Sequence, residues 1–266
     1  TAAAPIGIGG SNSRQAVLAG TSAHVAALQV RDKVLAIAGE LLEADSADLE
    51  IEGREVRVRG TDRRLTLAAI ARAAAGQPGF VLPGGRGPGL SAEEAVVIDA
   101  MAYANGTAVA EVEVDPGTGA VAIARLVFSH DCGRALHPRI VEGQLMGGIA
   151  HGIGNALYEH MRFDEQAQPI SATLADYLLV TATEMPRVEI LHMHSPTPLN
   201  PLGIKGVGEA GVIPVPAAIA SAVEDALAPF AARVRHLPLA PVDVVALIDP
   251  AAAAPHRPIP PQGTAA

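Results

Sequence analysis

The chain has 266 residues, 49% of them hydrophobic, enough to bury a core of one or two domains. Aromatics make up 3% with no Trp, and the net charge is -9, which argues against stacking nucleobases or neutralising a phosphate backbone. The single cysteine, Cys132, leaves no internal disulfide and no self-contained iron–sulfur cluster, so electrons from any redox reaction must leave through another chain.

Residues 1–12 are small and Gly-rich. Beyond them Val17, Ala23, Ala27, Val34, Ile37 and Leu41 recur at helical spacing, which predicts a helix over 13–43 with Ser11 or Ser13 as its cap. Short apolar runs at 49–51 and 56–58 flank Gly53 and predict a hairpin, followed by a short helix over 66–75. Residues 76–90 hold six Gly and three Pro and read as a loop. Val109, Val112 and Val114, then Val121, Ile123 and Val127, bracket Asp115-Pro116-Gly117-Thr118-Gly119, a long hairpin with a strong turn signal. Pro138 opens a helix over 138–159; strands are expected at 173–180 and 187–193, a Pro/Gly-rich loop at 195–216, and a helix at 217–227. The mix of hairpins and helices predicts an α+β fold with mixed sheets and packed helices, not a doubly wound parallel sheet. The Pro/Ala-rich residues 249–266 read as a disordered tail. No run of about 18 apolar residues predicts a membrane span, and the first residues lack the regions of a secretory signal, so a cytoplasmic location is expected.

Three Gly-rich segments are candidates for chemistry. Gly9-Gly10-Ser11-Asn12-Ser13 leads into the first helix, where small residues and unpaired N–H groups suit an anion; an ordinary capped helix start is the plainer reading. The second, Val141 to Gly154, carries five glycines in a helical pattern, each costing roughly 1 kcal/mol relative to Ala, which close packing against backbone or ligand must offset. Gln144 and His151 share one face with Gly147 and Gly148 between them, unless this is a tightly packed core helix with His151 an internal histidine. The third is Gly203-Ile204-Lys205-Gly206-Val207-Gly208-Glu209-Ala210-Gly211. Its G-x-G-x-x-G lacks a βαβ setting, and Pro214 and Pro216 follow at once, so a dinucleotide site is disfavoured. Glu209 among small residues reads as an acid or base in a tight, partly desolvated loop, with Lys205 favouring its anion. His192 and His194 read as surface or interface histidines in preference to a metal pair, and Cys132 as a buried small hydrophobe.

In order and spacing these segments, with Asp131-Cys132-Gly133-Arg134, Thr173 to Tyr177 and Pro196 to Pro201, resemble the C-terminal half of the large subunit of molybdenum hydroxylases. That family includes xanthine dehydrogenase, aldehyde oxidase and aerobic carbon monoxide dehydrogenase. The resemblance implies that residues 1–248 are a second molybdopterin-binding domain, from a split subunit or a longer chain. Gly10, Ser11, Asn12 and Ser13 would hold the cofactor's dithiolene and phosphate end, with Gly9 also against the cofactor. Gln144, Gly147, Lys205 and Gly206 would also lie against the cofactor. Glu209 matches the glutamate that takes the proton from a molybdenum-bound hydroxyl. The metal would be held by the cofactor's dithiolene, with no protein ligand. Asn12, Arg14 and His151 depart from the usual family residues. Molybdopterin, as its cytosine dinucleotide, is the implied cofactor, with iron–sulfur clusters and FAD on partner chains. The implied reaction is oxidative hydroxylation of an aldehyde, N-heteroaromatic or purine carbon, or oxidation of carbon monoxide. A chain carrying the first molybdopterin-binding half would complete the enzyme. The alternative is a non-catalytic structural subunit or fragment.

Overall fold

The computed structural model describes residues 9–76, 82 and 87–251. Most of the expected 76–90 loop, and the tail from 252, lie outside them; 82 and 87–90 form no helix or strand. The chain divides into two compact units, Ala16–Asp99 and Thr1–Gln15 with Ala100–Ala266.

The smaller unit begins with a π-helical turn, Ala16–Gly20, and continues as α1, Thr21–Leu42. The expected helix over 13–43 therefore starts late, and neither Ser11 nor Ser13 caps it; Gly20 stands at the cap of α1 without a side-chain bond. Its buried stripe is Val34, Ile37, Ala38 and Leu42, so the heptad-like spacing lands on Leu42 and leaves Leu41 exposed. Strands β1 (Leu49–Glu52), β2 (Glu55–Val58) and β3 (Arg64–Thr66) form an antiparallel sheet in that order. Helix α2, Leu67–Ala74, follows, its start capped by the Thr66 hydroxyl, which accepts from Ala69 N at 3.2 Å. Val34, Ile37, Leu49, Val56 and Ile70 make the core of this unit.

In the larger unit, β4 (Asn105–Val114) and β5 (Val121–Asp131) form the predicted hairpin. Asp115 fixes its turn by accepting from Gly117 N at 2.8 Å. Strand β6, Val188–Met193, pairs parallel to β5, giving sheet order β4-β5-β6. A parallel partner requires a crossover, and it contains α3, Pro138–Leu157, with Pro138 in the first turn and His137 Nδ1 accepting from Ile140 N. Helices α4 (Val215–Ala226) and α5 (Pro241–Ile248) follow, the latter unforeseen in a Pro-rich sequence. Leu145, Ile149 and Ile153 of α3 are fully buried with Leu126, Phe128, Val215, Ile219 and Val223. At about 1.5–3 kcal/mol each, those three α3 side chains match the helix cost of its glycines.

The strand expected at 173–180 does not form. Asp176 N and Tyr177 N both donate to Thr173 O, at 3.0 and 2.8 Å, and the Thr173 hydroxyl donates to Asp176 Oδ2. This local turn satisfies the backbone that a strand would have had to pair. Among the described residues no helix is long and apolar enough to cross a membrane.

Candidate functional site

The glycines of α3 serve two faces. On one, Gly148 and Gly152 let the chain after the third Gly-rich segment lie directly on the helix. A Cβ at Gly148 would come within 3.0 Å of Gly211 Cα, and one at Gly152 within 2.8 Å of Val215 Cβ. Gly211 returns the contact, since its Cβ would meet Ile149 N at 2.6 Å. On the other face, Gly143 and Gly147 have open space where a Cβ would stand, and Gln144 and His151 are exposed beside them. His151 is thus not an internal histidine.

The three segments meet at this second face. Ser13 Oγ donates to Glu209 Oε2 at 2.7 Å and accepts from the Glu209 backbone N–H at 2.9 Å. Gly206 and Gly208 make room: a Cβ at 206 would lie 2.6 Å from Ser13 O, and one at 208 would lie 3.4 Å from Ser13 Oγ and 3.8 Å from Gln144 Nε2. Ser13, Gln144, Gly206 and Glu209 therefore form one cluster. Asn12 and Ser13 both hold left-handed backbone, with φ of 57° and 54°. Two successive non-glycine residues in that region are strained, and strain of this kind persists where surrounding contacts impose it.

Two expectations about Glu209 need correction. The loop is tight, but Glu209 itself is exposed in this chain, since its neighbours Gly208 and Ala210 supply little side chain to cover it. Lys205 does not face it. The lysine ammonium lies 2.9 Å from Asp131 Oδ2, with side-chain exposures of 9% and 6%. Asp131, the last residue of β5, also accepts from Gly133 N at 2.8 Å and Ser195 N at 3.2 Å through Oδ1. Burial would push its carboxyl up, but the Lys205 ammonium and the two backbone donors outweigh that and hold it below the usual carboxylate range. The sequence reading missed this anchor. The signal was present, for Lys205 is one of only two lysines in the chain, the other being Lys33.

The remaining candidates fall elsewhere. Cys132 is buried, and burial pushes its thiol up, which suits a packed side chain and not a nucleophile. His192 approaches Glu142 Oε1 at 3.7 Å, and His194 is exposed. Among the described residues no three His, Cys, Asp or Glu side chains are placed to hold a metal ion.

The loop that carries Ser13 has donors suited to an anionic group. Arg14 donates to Ser11 Oγ at 3.2 Å, while its buried Nε has no partner among the described residues. Gly9, Gly10, Ser11 and Asn12 are exposed in the loop beside it. An unpaired guanidinium N–H in a loop of small residues suits a phosphate or pterin acceptor.

Comparison with known proteins agrees. Residues 1–186 match the family model of the molybdopterin cofactor-binding domain. The chain is 41% identical over 241 residues to the 6-hydroxypseudooxynicotine dehydrogenase complex subunit gamma of Paenarthrobacter nicotinovorans, covering 90% of this chain and 30% of that one. The crystal structure of the Cu,Mo-CO dehydrogenase superposes with a TM-score of 0.81 at 31% identity, over 94% of this chain and 31% of the other. Quinoline 2-oxidoreductase from Pseudomonas putida 86 gives a TM-score of 0.77 at 37% identity, over 91% and 31%. The chain thus spans about 30% of the length of the relatives it matches. With most of its length matched in sequence and in fold, the chain belongs to the molybdopterin cofactor-binding domain family.

Proposed function

We propose that this chain binds molybdopterin in an oxidative hydroxylase and supplies Glu209 as the general base. The observation that carries the reading is the pair of hydrogen bonds at Ser13 Oγ, which donates to the Glu209 carboxylate and accepts from the Glu209 backbone N–H, joining the loop at Ser13 to the glutamate. When bound, the molybdenum cofactor supplies the two-electron redox chemistry that side chains lack.

Each residue then has a physical task. Gly9, Gly10, Ser11 and Asn12, with Arg14, offer close backbone and donors to the anionic part of the cofactor. Gln144 turns its amide towards Gly208, where a Cβ would lie 3.8 Å from Nε2, and Gly206 admits Ser13 to the cluster. Lys205 belongs to the cradle through its backbone, its ammonium being engaged by Asp131. With Oε2 of Glu209 held by Ser13, Oε1 is the oxygen left to take a proton from the attacking nucleophile.

The cytosine dinucleotide form of the cofactor belongs to this proposal, as do iron–sulfur and FAD partner chains, a partner or region carrying the first molybdopterin-binding half, and a cytoplasmic location. The single cysteine supports the electron-transfer partners, because this chain cannot hold a cluster alone. The neighbours include both a quinoline oxidoreductase and a CO dehydrogenase, which supports a substrate class that takes in an N-heteroaromatic carbon as well as carbon monoxide. In the assembled enzyme Glu209→Gln is expected to lower kcat by about 10²–10⁴-fold with molybdenum content unchanged. Unaltered turnover in that variant sinks the base assignment.

A further inference from the structure

The third Gly-rich segment carries few side chains with which to hold itself, yet it must place a carboxylate. Its anchors are Ser13 at Gly206, α3 at Gly211, and the end of β5 at Ile204 and Lys205. At the β5 end, Lys205 N donates to Cys132 O at 2.8 Å, Arg134 N donates to Gly203 O at 2.9 Å, and Gly133 bridges to Ile204. Buried Asn200 closes the entry, accepting from Ile204 N at 3.1 Å and donating to Ile204 O at 2.8 Å.

Among these contacts one depends on charge. The Asp131–Lys205 pair is buried, whereas every other ion pair among the described residues has both side chains at least 30% exposed. A buried pair contributes little net stability over an apolar substitute of the same shape, so its presence here points to orientation. The chain otherwise uses Arg almost throughout. A compact ammonium on a flexible stem fits a site where one carboxylate already bonds two backbone N–H groups and a planar fork would not.

We infer that Asp131 and Lys205 are positioning residues for Glu209: the buried pair fixes the segment four residues before the glutamate to the shared end of β5 and β6. Asp131 also reaches the chain two residues beyond β6 through Ser195 N, so one carboxylate ties the end of β5 to two points, Ser195 and Lys205, of the irregular stretch that follows β6. The activity arm of this inference rests on the role proposed for Glu209; its structural arm does not.

The test uses the assembled molybdenum enzyme containing this chain, with Asp131→Asn/Lys205→Met and, separately, Asp131→Glu. The double variant removes both charges, and the second keeps them but moves the carboxylate by one methylene. Hydrogen exchange at the amides of 204–209, molybdenum content, kcat and KM are measured on each. Expected are a melting temperature near wild type, exchange faster by about tenfold or more in that stretch with α3 unchanged, and kcat lower by about 10–100-fold at similar KM and molybdenum content. Wild-type exchange and kcat in both variants overturn the inference, as does loss of molybdenum with exchange unchanged. Faster exchange together with an active Glu209→Gln would instead overturn the base assignment and leave the positioning intact.

Discussion

The larger unit contains two long stretches without regular structure, 159–187 and 194–214, and they differ in how far their polar anchors are buried. In the first, most anchors are exposed or half-buried: Tyr177 Oη donates to Glu159 Oε2 at 2.6 Å, and Thr173 Oγ1 to Asp176 Oδ2 at 2.8 Å. Buried Ser171 Oγ donates to His160 O at 2.8 Å and accepts from Arg162 N at 2.9 Å. It leaves Met161, Phe163, Leu174 and Leu179 exposed. The second is held from within by Asn200, Ile204 and the Asp131–Lys205 pair, all buried. Irregular backbone has a defined position when its polar groups are satisfied inside, because each broken bond then leaves an unpaired group in a dry place. The stretch that carries Glu209 is the one made this way.

That contrast can be broken or sharpened by measurement. The largest effect is expected for Asp131→Asn alone, which leaves the Lys205 ammonium buried and unpaired; urea unfolding of the assembled protein should show a loss of about 3–5 kcal/mol. A loss below about 1 kcal/mol would mean that water reaches the pair. Asn200→Ala comes next, since it strips partners from both the N–H and the C=O of Ile204, at a cost of about 1–3 kcal/mol in the same assay.

A third test is by pH. His130, at 1% exposure, has neither ring nitrogen bonded among the described residues and stacks on Phe128 at 6.0 Å between ring centres. Burial first, then the charges of His192 and Lys205, lower its pKa, against the opposing pull of Asp131. Folding therefore favours the neutral ring. Its contribution is intact above the unfolded value of about 6.5 and is lost as pH falls below that, where the unfolded chain takes up a proton the folded one resists. His130→Leu should flatten the fall in melting temperature between about pH 6.5 and 5; an unchanged slope would show that the ring protonates in place. Asp131 adds a separate loss at lower pH, because its depressed value makes stability disappear as pH falls through it. The smallest effect belongs to the other stretch: Thr173→Ala should stay within about 0.5 kcal/mol of wild type.

Much of this was legible in the residues. Pro138 marks the start of α3 because it suits a first helical turn, and Asp115 to Gly119 marks the β4–β5 turn because a carboxylate accepts from its own loop. The cluster of Gly-rich segments was legible as well, though only as three separate pieces. What failed was either local competition or distance. Thr173, Ala175, Tyr177 and Leu179 alternate as a strand would, but the Thr173 turn captures the backbone first. Ser13 reads as a helix cap because sequence shows only its near neighbours, and its partner lies 196 positions away. Lys205 beside Glu209 suggests a pair, yet its partner is 74 positions back, on β5.

The separation of 196 residues between Ser13 and Glu209 also sets a clock. At synthesis rates of about 5–20 residues per second, Ser13 leaves the ribosome roughly 10–40 s before its partner does. Through that interval the N-terminal loop has no carboxylate to hold and no glycines at 206 and 208 to nest against. On the proposed role, a molybdopterin arriving in that interval would meet half a cradle, so loading follows the emergence of Glu209.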